Sequence, residues 1–199
     1  MSDGLVSRRH MLGALAAGSL AGPTWADDFP SRPIDWVVPY AAGGGSDLVA
    51  RVLAEPMGAA LGQPLVVNNK PGAATNIGAE YAARAKPDGY TVLTADTGTL
   101  AANPYLYSKL RYSAEQDFAP IGLMVRFPLL AVVNAKLPVK NWAEFSAWAK
   151  AQSAGVSFAS PGAGSPHHLA AELLRHRSGL KLVHVAYKGA APAVNDVIS

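Results

Sequence analysis

From residue 34 onward, short apolar runs alternate with stretches whose apolar positions recur at helical spacing, and that alternation predicts a parallel sheet with crossover helices. The runs predict strands at Ile34–Pro39, Leu65–Asn68, Thr91–Thr94, Ile121–Val125, Leu129–Val133, Val156–Ala159 and Leu182–Val185. The helical pattern falls on Ser46–Leu61, Asn76–Ala85, Asn141–Ala151 and His167–Ser178. Pro56 removes one backbone donor and is expected to bend or restart the first helix. Asn141 and Glu144 are spaced as a cap and its N3 partner, ahead of a Trp142, Phe145 and Trp148 face that reads as core packing. Asn68-Asn69-Lys70-Pro71-Gly72-Ala73 and Lys86-Pro87-Asp88-Gly89-Tyr90 are turn chemistry.

The first predicted strand runs straight into Gly43, Gly44 and Gly45, and Ser46 and Asp47 then open a helix. Glycines allow a ligand to approach the backbone closely, and a helix start offers N–H groups without intrahelical acceptors. Ser46 and Asp47 are of the types that cap such a start, so the loop end suits a carboxylate or another anion. The same segment also fits a tight strand-to-helix turn with no ligand. Its spacing matches neither GxGxxG nor GxxxxGK[ST], so it is not a nucleotide loop.

Composition narrows the compartment and the chemistry. Residues 1–26 carry paired Arg8 and Arg9, an apolar run too short to span a bilayer, and a small-residue ending at Ala26. That is the pattern of an export signal, and it fits both twin-arginine and general secretory export. Removing Asp3, Arg8 and Arg9 with this segment leaves 15 basic and 13 acidic residues. Neither a basic stripe nor basic-aromatic interleaving points to nucleic acid. The chain has no cysteine, which excludes disulfides and thiolate metal sites. Its five histidines include no HExxH, so no metal is expected. A hydrolase built on Ser165 and His168 lacks GxSxG, and the two residues stand three apart at one helix start, an unusual approach for a base.

Taken together, VVPYAAGGGSDLVARVLAEPMGAALGQPLVVNNKPGAATNIGAE, AKPDGYTVL, GSPHHLAAELL and VHVAYKGAAPAVND resemble the Bug-type substrate-binding proteins of tripartite tricarboxylate transporters, from about Phe29 to Ile198. The resemblance implies an α/β, periplasmic-binding-protein-like fold: two α/β domains with a ligand cleft, divided here as 27–127 and 128–199. Family members continue beyond the counterpart of Ser199, so it also implies an incomplete second domain, as in a fragment, a frameshifted or degenerate gene product or a truncated gene model, with a non-functional truncated fragment as an alternative reading. It implies a periplasmic, non-enzymatic receptor without cofactor, which captures a small carboxylate by hinge closure and passes it to membrane permease subunits. A receptor that signals to a membrane sensor would use the same cleft chemistry.

Carried over residue by residue, the resemblance places Ala42, Gly43, Gly44, Ser46 and Asp47 on the first binding loop, with Asp47 capping the helix or positioning water. Thr97 and Asn103 belong to a second loop. There Asp96 is expected to turn away, since a carboxylate repels a carboxylate ligand. Ser160, Gly162, Gly164, Ser165 and His168 form a third loop, on which His168 fits both a loop-bracing role, which is favoured, and a ligand-side donor. Tyr187 and Gly189 line the cleft, and Lys188 fits either ligand attraction or solvent. Ala186 stands where the family usually has proline.

Overall fold

A computed structural model describes residues 29–199, so the export signal expected over 1–26 lies outside the described residues. The chain divides after Ser31, and every element named below lies in Arg32–Ser199.

Strand β1 (Ile34–Val38) is central in a sheet of order β2-β1-β3. It pairs in parallel with β2 (Leu65–Asn69), from Ile34 opposite Leu65 to Val38 opposite Asn69, and with β3 (Thr91–Leu93). A central parallel strand is covered on both faces, which is why its run is apolar almost throughout. Ile34, Trp36 and Val38 pack with Ala50 and Leu65 to form the core. Trp36 Nε1 donates to Thr94 Oγ1 at 2.9 Å, which satisfies the indole inside that core.

Helix α1 (Gly45–Leu61) and helix α2 (Asn76–Ala83) provide the crossovers. Helix α1 passes through Pro56 as one element and ends at Gly62, whose φ of 70° is the left-handed conformation that closes a helix. After β3, a π-helical turn at Gly98–Ala102 leads into the short α3 (Asn103–Leu106), neither of which the periodicity predicts.

Helix α4 (Trp142–Lys150) starts with the capping pair expected from sequence: Asn141 Oδ1 accepts from Glu144 N at 3.0 Å. The second sheet pairs β4 (Val156–Ser160) in parallel with β5 (Leu182–Ala186). Helix α5 (Pro166–Ser178) connects them, and α6 (Ala190–Ile198) follows β5.

Two expectations fail. The runs at 121–125 and 129–133 do not form strands, because a strand needs a hydrogen-bonded neighbour and none pairs with them among the described residues. They stay exposed, Ile121 at 86% and Leu130 at 78%. The aromatic face of α4 is not core either. Trp142, Phe145 and Trp148 form a tilted ladder with ring centroids 5.7 and 5.9 Å apart, and Trp142 remains 48% exposed.

Candidate functional site

The loops singled out in the sequence follow β1, β3, β4 and β5, so all leave the carboxyl ends of parallel strands. In open α/β sheets that edge is where ligands bind. A groove lined by Ala54, Gly58, Gln63 and Leu65 lies instead toward the amino end of β2.

In the loop after β1, Gly43 takes φ 82° and its N–H donates to Asp47 Oδ2 at 2.9 Å. Gly44 is the N-cap of α1, and no side chain caps that helix. Asp47 therefore braces the loop before the helix, and Ser46, expected as a cap, makes no cap bond. Asp47 is 3% exposed, receives Arg51 Nε at 3.0 Å and Asn69 Nδ2 at 2.9 Å, and Asn69 also donates to Tyr40 O at 3.0 Å. Burial by itself raises the Asp47 pKa, but the Arg51 guanidinium, the Gly43 N–H and the Asn69 amide outweigh it and hold the carboxyl below its ordinary value. The N–H groups of Gly44, Gly45 and Ser46 have no acceptor among the described residues.

In the loop after β3, Asp96 Oδ1 accepts the N–H of Thr99 at 2.9 Å, and its Oδ2 accepts the Tyr40 hydroxyl at 2.5 Å. Burial first, and then the Asp96 charge, push the Tyr40 hydroxyl well above the ordinary tyrosine range. Asp96 thus ties β1 to this loop. Thr97 is exposed, whereas Asn103 is fully buried and gives its Nδ2 to Ala74 O and Asn76 Oδ1, both at 2.7 Å. Asn103 Oδ1 has no hydrogen-bond partner among the described residues. Ala73, Ala74 and Thr75 form a left-handed turn with φ of 46°, 52° and 76°. Such strain persists only where the surroundings fix it, here through the bonds of Asn103 to Ala74 O and of Thr75 Oγ1 to Thr99 Oγ1 at 2.8 Å.

In the loop after β4, the N–H of Gly162 goes to Ser160 Oγ at 3.2 Å, that of Gly164 to His168 Nδ1 at 3.0 Å, and that of Ser165 to Gly162 O at 3.1 Å. Ser165 Oγ accepts from His168 N at 3.3 Å and caps α5. These residues shape the loop, while the amides of Ala163 and His167 have no acceptor among the described residues. The His168 ring points to Gly164 and not to Ser165, so the two are not set as base and nucleophile. Burial lowers the His167 pKa, with the Asp96 charge opposing.

After β5, Tyr187 N donates to Ser160 O at 2.9 Å, its hydroxyl donates to Asp196, and Lys188 is exposed. Gly189, with φ 148°, is the N-cap of α6.

The loops of the two sheets meet through their smallest residues. Ala41 N donates to Lys188 O at 3.1 Å, and a Cβ on Gly189 would stand 3.1 Å from Ala41 Cβ. A Cβ on Gly44 would stand 3.8 Å from Ala190 N, and one on Gly164 would stand 3.1 Å from Asn103 Oδ1. Gly162 faces Ala74, and Gly98 faces Gly164 O. Ala42, Gly43, Gly44, Ser46, Asp47, Thr97, Asn103, Ser160, Gly164, Ser165, His168, Tyr187 and Gly189 thus lie in the loops at the carboxyl ends of the strands or in the strand and helix ends that flank them. Sequence reasoning missed His184, whose Nε2 lies 2.6 Å from Ser160 Oγ, and the braces Tyr40, Arg51 and Asn69. The one signal for Asn69 was its place at the carboxyl end of a parallel strand.

Parallel sheets whose carboxyl-end loops meet in this way define an α/β protein of the periplasmic-binding-protein class. Residues 49–199 match the tripartite tricarboxylate transporter family receptor model, and the chain belongs to that family. It is similar to the periplasmic binding protein BugD, at 39% identity and TM-score 0.76 over 85% of this chain and 56% of that one. It is also similar to Rpa4515 of R. palustris with adipate (34%, TM-score 0.83) and to MatC of Rhodopseudomonas palustris with bound malate (32%, TM-score 0.79). Each of these two matches covers 85% of this chain and 57% of the other. The chain spans 58%, 57% and 53% of the lengths of three curated relatives that it matches.

Proposed function

We propose that the protein is a periplasmic solute-binding receptor for a small carboxylate, held between the loops of two α/β domains and delivered to the membrane permease subunits of a tripartite tricarboxylate transporter. One observation carries the reading: the N-terminus of α1 at Gly44–Ser46, with its free N–H groups, faces the N-terminus of α6 at Ala190. Two helix starts directed at one space concentrate positive potential there, and they favour an anion over a neutral or cationic solute. The adipate and malate bound by two structural relatives support a carboxylate as that anion.

Thermal melting with adipate, malate and citrate tests this, because a ligand that binds the native state raises the melting temperature with its concentration. Gly44→Phe, which directs a ring at Ala190, is expected to abolish the shift while the protein still melts cooperatively. Absence of any shift with all three acids, or an undiminished shift in Gly44→Phe, refutes the proposal.

A further inference from the structure

The loop after β4 is held by two histidines from different elements. The His168 ring, on α5, stacks on the His184 ring, on β5, with centroids 3.9 Å apart and planes at 22°. Phe158 of β4 flanks the pair, its ring centroid 4.9 Å from that of His184 and 6.3 Å from that of His168. His184 Nε2 meets Ser160 Oγ at 2.6 Å, and Ser160 Oγ also receives the Gly162 N–H. His168 Nδ1 receives the Gly164 N–H, which places the ring proton of neutral His168 on Nε2.

We propose that this pair is the positioning element of the second glycine loop: neutral His168 holds the loop in the shape that receives Ala74, Asn103 and Leu106, and protonation releases it and weakens acid binding. The inference rests on the carboxylate reading above. A protonated imidazole has donors on both nitrogens, so it no longer accepts the Gly164 N–H. The loop then loses the bond that fixes Gly164, the residue lying against Asn103 and Leu106 of the other sheet's loops.

The charges around His168 are few. On its own helix Glu172 Oε1 stands 4.0 Å from Nε2, and Glu172 is itself paired with Arg175 at 2.8 Å. From β5 comes His184, whose charged form is disfavoured by burial and then by His168. Phe158 of β4, the loop 160–165, and the facing Ala74, Asn103 and Leu106 bring no charge. Two imidazolium rings at 3.9 Å repel each other, so the first proton on the pair is the one that matters.

The test follows the Gly164 amide and both imidazoles by NMR from pH 8 to pH 5.5, alongside malate titrations at pH 8 and pH 6. Expected is loss of exchange protection at Gly164 with the same midpoint as His168, and malate affinity weaker at pH 6 by about two- to tenfold, the range of one neutral hydrogen bond. His168→Gln offers an acceptor that does not titrate, so its Gly164 signal and its affinity, whatever its value, stay flat with pH. His184→Phe keeps the stack without the second charge, so its Gly164 amide should still lose protection on acidification. A Gly164 amide indifferent to pH while His168 titrates overturns the inference, as does unchanged malate affinity when Gly164 is released. If no acid binds at any pH while Gly164 and His168 titrate together, the histidine brace stands and the receptor reading fails.

Discussion

Replacing Asp47 by alanine removes the acceptor that holds the first loop. Three donors lose a charged partner at hydrogen-bond distance: Gly43 N–H at 2.9 Å, Asn69 Nδ2 at 2.9 Å and the largely exposed Arg51 Nε at 3.0 Å. A hydrogen bond to a charged group contributes roughly 1.5–3 kcal/mol net. Gly43 is exposed and water replaces part of its bond, while Asn69 keeps Tyr40 O as acceptor. Removing the buried carboxylate also lifts its desolvation cost. The balance is a loss of about 2–3 kcal/mol, or about 4–12 °C in melting temperature for a domain of this size.

Calorimetry reads the total, and hydrogen exchange reads the place, because the Gly43 amide must lose protection in the variant. Arg51→Gln is the control. Its side chain is 52% exposed, so water replaces part of what the guanidinium supplies to buried Asp47, and the melt should fall by less than in Asp47→Ala while Gly43 stays protected. An Asp47→Ala protein that melts within about 1 °C of the parent, with Gly43 still protected, refutes the claim that Asp47 organises the loop.

Three further outcomes follow from the same geometry. Gly189→Ala puts a Cβ at φ 148°, 3.1 Å from Ala41 N and Cβ, so the Ala41 amide should exchange faster as its bond to Lys188 O is forced apart; unchanged exchange contradicts the close contact. Asn141→Ala removes the acceptor for Glu144 N and should cost about 1 kcal/mol in urea unfolding, with a null result arguing against the cap. His184 has its pKa lowered from 6.5, by burial first and then by His168. Its neutral form is therefore favoured in the folded state. That contribution is complete above the ordinary value and is lost as pH falls from there through the lowered folded value, so urea midpoints should decline on acidification below about 6.5, and less so in His184→Phe.

What the sequence made legible was local. The IDWVV run announces a strand covered on both faces, and Asn141 with Glu144 three residues on announces a helix start. Both depend on neighbours in the chain. What it hid depends on partners far along it. Asp47 reads as a helix cap, yet its role is set by Asn69, 22 residues away, and it serves the residue before the helix. His184 carries no motif because its role arises only when β5 lies beside β4 and α5 crosses over both. The apolar runs at 121–133 have strand composition, but composition supplies no neighbouring edge, and they remain unpaired among the described residues.

The same division explains how the candidate site is built. Where the two sheets' loops touch, the contacts are Ala41 with Gly189, Ala74 with Gly162 and Gly164, Gly44 with Ala190, and Gly98 with Gly164. Residues this small let main chain meet main chain, so the candidate site is built largely of peptide groups. The side chains that could carry identity stand one layer behind, in three braces: Asp47 with Arg51 and Asn69, Asp96 with Tyr40 and Thr99, and His168 with His184 and Ser160. Each brace holds one loop; the first two are linked where Asn69 Nδ2 also donates to Tyr40 O, and the histidine brace shares no bond with either among the described residues. A change in the histidine brace should therefore add to a change in either of the others in its effect on loop order, whereas two changes within one brace should not. Additivity of Asp47→Ala with His168→Ala, set against non-additivity of Asp47→Ala with Asn69→Ala, separates this layered arrangement from a single continuous network, in which both pairs would couple.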